Sequence, residues 1–298
     1  MRRRRGARPR PDNLSPVGDA PDTSWVDVDG MRLRYLDTGS PASPVDPDAL
    51  PLLVIPGHTA RIEGFVPMLP SLSAEHRVLV LDCPGSGESE KPDRVYDLRF
   101  YEDTLVAFLD HLGIDQAIPV GGSLGGNLVL RLGHRFPERF PRLVLWAPGS
   151  AWKAKPALDW LTRHVVGSKL LRKATFWPVV KTQSRFWYSE DYPDRLRELD
   201  ETFAYYRRVM SPGFLAMYWG MAADQLGRSL FDLAPDIAQH VHLMWGDQDH
   251  GAQMGKGVAR LHELLPDNVL HVFPGRRHSL EAECPDDLAA QILIGARP

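Results

Sequence analysis

The chain has 298 residues, 35 Lys and Arg against 38 Asp and Glu, 43% hydrophobic and 24% charged, which is the profile of a globular protein long enough for one core carrying an insertion. Six of the first ten residues are Arg, so the other 288 hold 29 basic and 38 acidic side chains, and an acidic body is a poor match for nucleic-acid phosphates. Cys83 and Cys284 belong to no CxxC or Cys/His cluster and no run of about 18 apolar residues occurs, which argues against a disulfide framework, a zinc site and a membrane span and points to a reducing, cytoplasmic compartment.

Residues 1–23 are rich in Arg, Pro and Asp and carry few large apolar side chains, so they read as a disordered basic tail. The run Arg2 to Arg5 lacks the apolar stretch that an export signal needs next. From Trp25 the residues alternate, Trp25 to Val28 and then Met31 to Leu36, with Asp29-Gly30 between them. That pattern predicts a β-hairpin. Residues 38–51 carry four prolines and no periodicity, and predict a loop.

Short apolar runs then recur: Leu52 to Ile55, Val78 to Leu81, Ile118 to Val120, Leu143 to Trp146, Val241 to Trp245 and Val269 to Phe273. They predict buried parallel strands. Between them Leu98, Tyr101, Leu105, Phe108, Leu109 and Leu112 fall on one face of a helix that Gly113 ends. Alternating strands and helices imply an α/β fold, a mostly parallel central sheet with helices on both faces. The alternation fails over 151–233, which reads as a helical insertion holding Trp152, Trp160, Trp177, Trp187 and Trp219 with Tyr188, Tyr192, Tyr205, Tyr206 and Tyr218. An aromatic insert leaving the carboxyl edge of a sheet suggests a lid; the same aromatics could simply pack the insert's own core. The organisation expected is a core over 24–150 and 234–298 with a helical cap over 151–233.

After the strand ending at Val120 comes Gly121-Gly122-Ser123-Leu124-Gly125-Gly126, followed by the helical pattern of Leu128, Val129 and Leu132. This is G-x-S-x-G between a strand and a helix, the context of a nucleophile elbow. A serine among glycines is often only a turn, but phosphate-binding alternatives fail: the glycine of G-x-G-x-x-G is replaced by Ser123, and no Lys-Ser/Thr follows. At the elbow the Leu124 N–H would face a developing oxyanion.

A serine hydroxyl needs a base, and the base an orienting acid. His111, His134 and His262 sit in helical patterns and His242 and His271 within strand runs; His278 follows the last strand by a short loop, at the same edge as Ser123. The acid comes from Gly246-Asp247-Gln248-Asp249 after the preceding strand, with Asp249 chosen over Asp247, which is expected to close the turn, and His250 taken as a bystander. The chain order Ser, Asp, His fits this architecture.

These residues make the chain resemble the α/β-hydrolase fold superfamily, in the branch with a helical cap, from about Trp25 to Ile294. Val54-Ile-Pro-Gly-His58 stands where the family has its His-Gly oxyanion loop, with Pro56 in place of the usual histidine. Asp82-Cys-Pro-Gly-Ser-Gly-Glu-Ser89 resembles the D-x-x-G-x-G-x-S loop, and His278 to Pro285 the H-x-x-x-x-E-x-P end segment. The resemblance implies the His58 backbone N–H as the second oxyanion donor beside Leu124. Cys83 is expected to be a buried small residue, and Glu283 with Pro285 to start the last helix.

The expected function is a serine hydrolase acting on a small, apolar or aromatic ester or lactone through an acyl-enzyme, with no metal or organic cofactor. Ser123 excludes the alkyl-ester route of relatives with a carboxylate at the elbow. Alternatives are a carbon–carbon bond hydrolase of ring-cleavage products, an iminopeptidase-like enzyme using Glu190, Asp191 or Glu201 to hold a free amine, and a non-catalytic small-molecule binder. Oligomeric state is not legible.

Overall fold

The alternating segment folds as the hairpin that Asp29-Gly30 dictates: β1 (Ser24–Val28) and β2 (Met31–Asp37) pair antiparallel, and the two turn residues take φ of 52° and 76°, the positive values a type I′ turn requires. The structure, a computed structural model, describes residues 22–41, 48–249 and 254–298. The Arg-rich tail to residue 21, part of the Pro-rich loop and His250 lie outside the described residues.

In chain order there follow β3 (Leu52–Ile55), α1 (Leu69–Glu75), β4 (Val78–Leu81), α2 (Leu98–His111), β5 (Ile118–Gly122), α3 (Leu124–Arg135) and β6 (Arg142–Trp146). Then come α4 (Pro156–Leu161), α5 (Arg172–Gln183), α6 (Arg195–Val209), α7 (Pro212–Gly227), β7 (His240–Gly246), α8 (Met254–Leu264), β8 (Asn268–Phe273), α9 (Leu280–Glu283) and α10 (Pro285–Ala296). The eight strands form one sheet in the order β1-β2-β4-β3-β5-β6-β7-β8, parallel from β4 to β8.

Because a strand alternates its faces, each apolar run feeds two cores. Leu53 and Ile55 of β3, Leu79 and Leu81 of β4 and Leu143 and Leu145 of β6 pack with α2 and α3; Leu52, Val54, Val78, Val80, Val144 and Trp146 pack with α1 and α10. Each such side chain contributes about 1.5–3 kcal/mol on leaving water. Helix α2 shows the local logic in full. Asp97 accepts from the Phe100 N–H at 2.8 Å to cap it, its buried side chains recur every three or four residues, and Gly113 with φ of 67° closes it.

β3 lies between β4 and β5, so the chain leaves β3 toward one side of the sheet and β5 toward the other. Such a switch point opens a crevice at the carboxyl ends of the strands. Between β6 and β7 no strand occurs among the described residues, and the helical segment that fills the interval is closed at its neck. The Lys155 N–H donates to the Leu226 carbonyl at 2.8 Å, the Leu230 N–H to Ser150 at 3.0 Å, and the Ser229 hydroxyl to Trp152 at 2.6 Å. No helix among the described residues is long and apolar enough to cross a membrane.

Candidate functional site

The elbow is built by close approach. Ser123 takes φ 56° and ψ −116°, a region where an L side chain is strained, and such outliers cluster at functional positions. It stands at the N-cap of α3, yet its side chain makes no capping hydrogen bond, unlike most serines there. A β-carbon on Gly125 would lie 2.0 Å from the Ile55 carbonyl oxygen, and one on Gly122 2.1 Å from Trp146 Nε1, so only glycine lets α3, β3 and β6 converge on this turn. The Ser123 backbone is then pinned, its N–H on the Trp146 carbonyl at 3.1 Å and its carbonyl accepting from Gly149 at 2.8 Å and Asn127 at 3.0 Å. Leu124 opens α3, so its N–H is one of the helix-end donors without an intrahelical acceptor.

The loop after β3 lies against this turn. Register pairs Ile55 with Gly121, and a β-carbon on Gly57 would be 3.4 Å from Ser123 Cβ. His58 is the next residue. Its ring stacks on Tyr218 of α7 with centroids 4.7 Å apart at 19°. Burial pulls its pKa down to about 4, against an opposing hydrogen bond to the Tyr218 main chain. Thr59, with φ of 67°, donates its hydroxyl to the His58 carbonyl and meets the Tyr206 hydroxyl of α6 at 2.6 Å.

Asp249 and His278 come from the loops after β7 and β8, whose register ends with Gly246 opposite Phe273. The loops are stitched by Gln248 N–H to the Arg276 carbonyl at 2.9 Å and by Gly275 N–H to Asp247 Oδ1 at 2.7 Å. Asp247 thus caps the turn after β8 instead of closing its own, which the Asp249 N–H closes on the Gly246 carbonyl at 3.0 Å. His278 Nδ1 and Asp249 Oδ2 are hydrogen bonded at 2.9 Å, with the Asp249 side chain fully buried and that of His278 11% exposed. Burial lowers the His278 pKa most strongly, but the Asp249 charge and hydrogen bond, helped by Glu281 and Glu283, carry it above the ordinary histidine value.

Several contacts here have no local signal in the sequence. Trp146 Nε1–H donates to Glu281 Oε2 at 3.1 Å, and burial raises the Glu281 carboxyl above its usual range. Pro285 opens α10, but Glu283 does not: it ends α9, and its carboxylate takes the Ser189 hydroxyl and, at 3.2 Å, the Arg277 N–H. The departure from expectation arises because Cys284, with non-helical φ of −152° and ψ of 60°, separates the two helices. The helical segment grips the histidine loop further through Arg277 Nη1, which donates to the Arg185 and Tyr188 carbonyls at 3.0 and 3.2 Å.

The Asp82 loop has a supporting part. Asp82 is fully buried and takes Arg34 Nε at 2.7 Å, Ile62 N–H at 2.9 Å and Glu88 N–H at 2.9 Å, while Tyr205 of α6 accepts the Gly87 N–H at 2.7 Å. Cys83 is buried, and burial pushes its thiol well up, as befits an inert core residue. Glu190 and Asp191 are exposed on the helical segment, Glu190 pairing with Arg277 at 3.4 Å.

Comparison with known proteins bears on the fold and the family. Residues 51–282 match the model of a family described as alpha/beta hydrolase fold. The chain is 34% identical over 281 residues, 94% of its length and 70% of the relative's, to the dihydrolipoyllysine-residue acetyltransferase component of the acetoin cleaving system of Pseudomonas putida. It is 37% identical over 137 residues, 44% of each chain, to 2-hydroxymuconate semialdehyde hydrolase of Pseudomonas sp. (strain CF600). Among solved structures, a thermophilic esterase from Thermogutta terrifontis superposes with a TM-score of 0.75 over 92% of this chain and 97% of its own, at 18% identity. With a mostly parallel eight-stranded sheet and a family match over most of its length, the chain belongs to the alpha/beta hydrolase fold family and is a hydrolase.

Proposed function

We propose that the chain is a serine hydrolase that cleaves a small-molecule carboxylic ester or lactone by way of an acyl-enzyme on Ser123, His278 and Asp249. One observation carries this reading: the 2.9 Å hydrogen bond between His278 Nδ1 and Asp249 Oδ2, on loops that follow neighbouring strands at the sheet edge where Ser123 stands strained and uncapped. With Nδ1–H held by Asp249, Nε2 of neutral His278 carries the lone pair that a general base needs. Ser123 Oγ attacks the carbonyl carbon as His278 takes its proton, and the carbonyl oxygen becomes the oxyanion. The Leu124 and His58 backbone N–H groups are its proposed donors, each contributing about 10²–10³ in rate. Collapse expels the alcohol, which receives the proton from His278; water, deprotonated by His278, then attacks the acyl carbon, and His278 returns that proton to Ser123 Oγ as the acid leaves. The steps balance without a metal or organic cofactor. Residues 151–233 act as a cap over the crevice, their aromatics favouring an apolar or aromatic small molecule.

Carbon–carbon bond hydrolysis is the second reading, favoured by the 37% identity to the semialdehyde hydrolase. Amine capture by Glu190 or Asp191 is less well supported, since both are exposed. The test is labelling by a fluorophosphonate, wild type against Ser123→Ala, followed by a panel of aryl esters, lactones, vinylogous diketones and proline amides. Serine-dependent labelling with acid released from esters or lactones is the expected result. Labelling with turnover of diketones alone supports the second reading, and no labelling of folded protein points to a binder.

A further inference from the structure

The first helix between β6 and β7 is built inside out. A helix on a protein surface normally buries its apolar stripe and leaves its charges to water. Helix α4 and the wider turn that continues it over Thr162–Val166 do the reverse. Thr162 is buried, and Asp159 pairs with Arg163 at 3.1 Å while Arg163 reaches Asp224 of α7 at 3.3 Å. Asp159 also lies against α7, where a β-carbon on Gly227 would meet its carboxylate at 2.6 Å. On the outward side stand Leu158, Trp160, Leu161 and Val165, followed by Leu170 and Leu171, with Trp160 60% and Leu170 88% exposed. Among the described residues thirteen large apolar side chains are exposed, and these six fall within residues 158–171. Scattered singly they would be ordinary surface, but a cluster marks contact with something else.

The charges around the cluster select what that is. Residues 152–173 carry six Lys and Arg against one Asp, in a body that is otherwise acidic. Asp93, which pairs with Lys169 and Arg172, and Asp224 bring the acidic neighbours to three, half the basic number. Lys153, Lys169 and Lys173 stand exposed. A second copy of the chain would set one positive patch against another across a two-fold axis. A protein interface gathers its apolar side chains at a centre and its charges at the rim, whereas here the two interleave, Lys169 beside Leu170 and Leu171 before Arg172 and Lys173. Interleaved Trp, Leu and Lys suit a helix lying in the boundary of a bilayer, its apolar side among acyl chains and its ammonium groups at the phosphates.

We propose that residues 158–171 dock the protein on an anionic lipid surface, their apolar side chains entering the boundary and the neighbouring lysines meeting the headgroups. The contact is peripheral and depends on neither Ser123 nor His278. Each lysine near such a surface contributes about fivefold in binding.

The experiment is flotation of the full chain with vesicles of phosphatidylcholine alone, or of phosphatidylcholine mixed equally with phosphatidylglycerol. It uses wild type, Leu161→Ser combined with Leu170→Ser, and Lys153→Glu combined with Lys173→Glu, with circular dichroism to check each fold. Wild type is expected to float with the mixed vesicles, to ignore phosphatidylcholine alone, and to be released by salt. Each double variant is expected to bind about tenfold more weakly or worse. Brominated lipid should quench a share of the tryptophan emission that Trp160→Phe, which keeps an apolar ring, no longer shows. Ser123→Ala should float as wild type does; its failure to float would place the lipid in the crevice and overturn the proposal. Absence of wild-type binding to the mixed vesicles overturns it too, including where light scattering finds a dimer that the leucine variant dissolves. Binding that survives both double variants overturns it as well, and moves the contact elsewhere, Arg2 to Arg5 being another basic run. None of these results bears on the acyl-enzyme reading, whose own test is fluorophosphonate labelling of Ser123.

Discussion

Replacing Asp249 by Asn keeps the shape of the acid loop and removes its charge. The carboxylate faces His278 Nδ1 at 2.9 Å with no exposed side-chain surface. During attack the imidazole becomes a cation, and unit charges at that separation attract by about 6 kcal/mol at an effective dielectric near 20. An asparagine oxygen still accepting the N–H returns about 1 kcal/mol. The net loss of about 4–5 kcal/mol corresponds to a fall of roughly 10³ to 10⁴ in kcat/KM. The pH profile carries the same information independently. His278 must be neutral to act as base, and its pKa is raised, so the acid limb of wild-type kcat/KM lies above the ordinary histidine value of about 6.5. Without the Asp249 charge, burial governs the imidazole and the limb moves to lower pH. Initial rates across pH 5 to 9 on one ester, with circular dichroism to check the fold, measure both effects. A fall of less than tenfold with the limb unmoved would refute the assignment of Asp249.

Three further outcomes follow from contacts outside the proposed triad. Tyr206→Phe and Thr59→Val each break the 2.6 Å hydroxyl pair that ties α6 to the loop carrying His58; each should lower kcat about three- to tenfold, and the double variant should be no worse than either single one. Gly125→Ala places a β-carbon 2.0 Å from the Ile55 carbonyl oxygen, so a melt should show a midpoint several degrees lower, for a cost of about 1–3 kcal/mol or more. Arg34→Met leaves the fully buried Asp82 without the guanidinium 2.7 Å away; urea unfolding should show a loss of about 3–5 kcal/mol, and an unchanged midpoint would contradict this account of the loop.

What could be read from the residues alone is what local chemistry repeats. The hairpin was legible because Asp29-Gly30 is the turn that positive φ demands, and α2 because Asp97, the apolar spacing and Gly113 all give the same answer. The loops bearing Ser123, Asp249 and His278 were legible because each follows an apolar strand run, and parallel strands deliver such loops to one edge. Contacts between side chains distant in the chain left no such trace. Tyr206 meets Thr59 across 147 positions and Trp146 meets Glu281 across 135, and neither pair has a spacing to detect. Glu283 was misjudged for a related reason: an acidic residue before proline looks like a helix start, and its bonds to Arg277 and Ser189 become visible only once the histidine loop has folded back.

The neck of the helical segment has an evolutionary corollary. Its two ends leave and rejoin neighbouring strands, with Trp146 opposite Met244, and the 150–155 and 225–230 stretches bridge it by hydrogen bonds such as Ser150 Oγ–H to the Gln225 carbonyl at 2.8 Å. The cost of bringing those ends together is met within the neck, and each doubling of the chain beyond it adds only about 0.6 kcal/mol. Whatever lies past the neck can therefore lengthen, shorten or be exchanged between descendants while the strands beneath keep their register, and such a scaffold can acquire new diets faster than new chemistry.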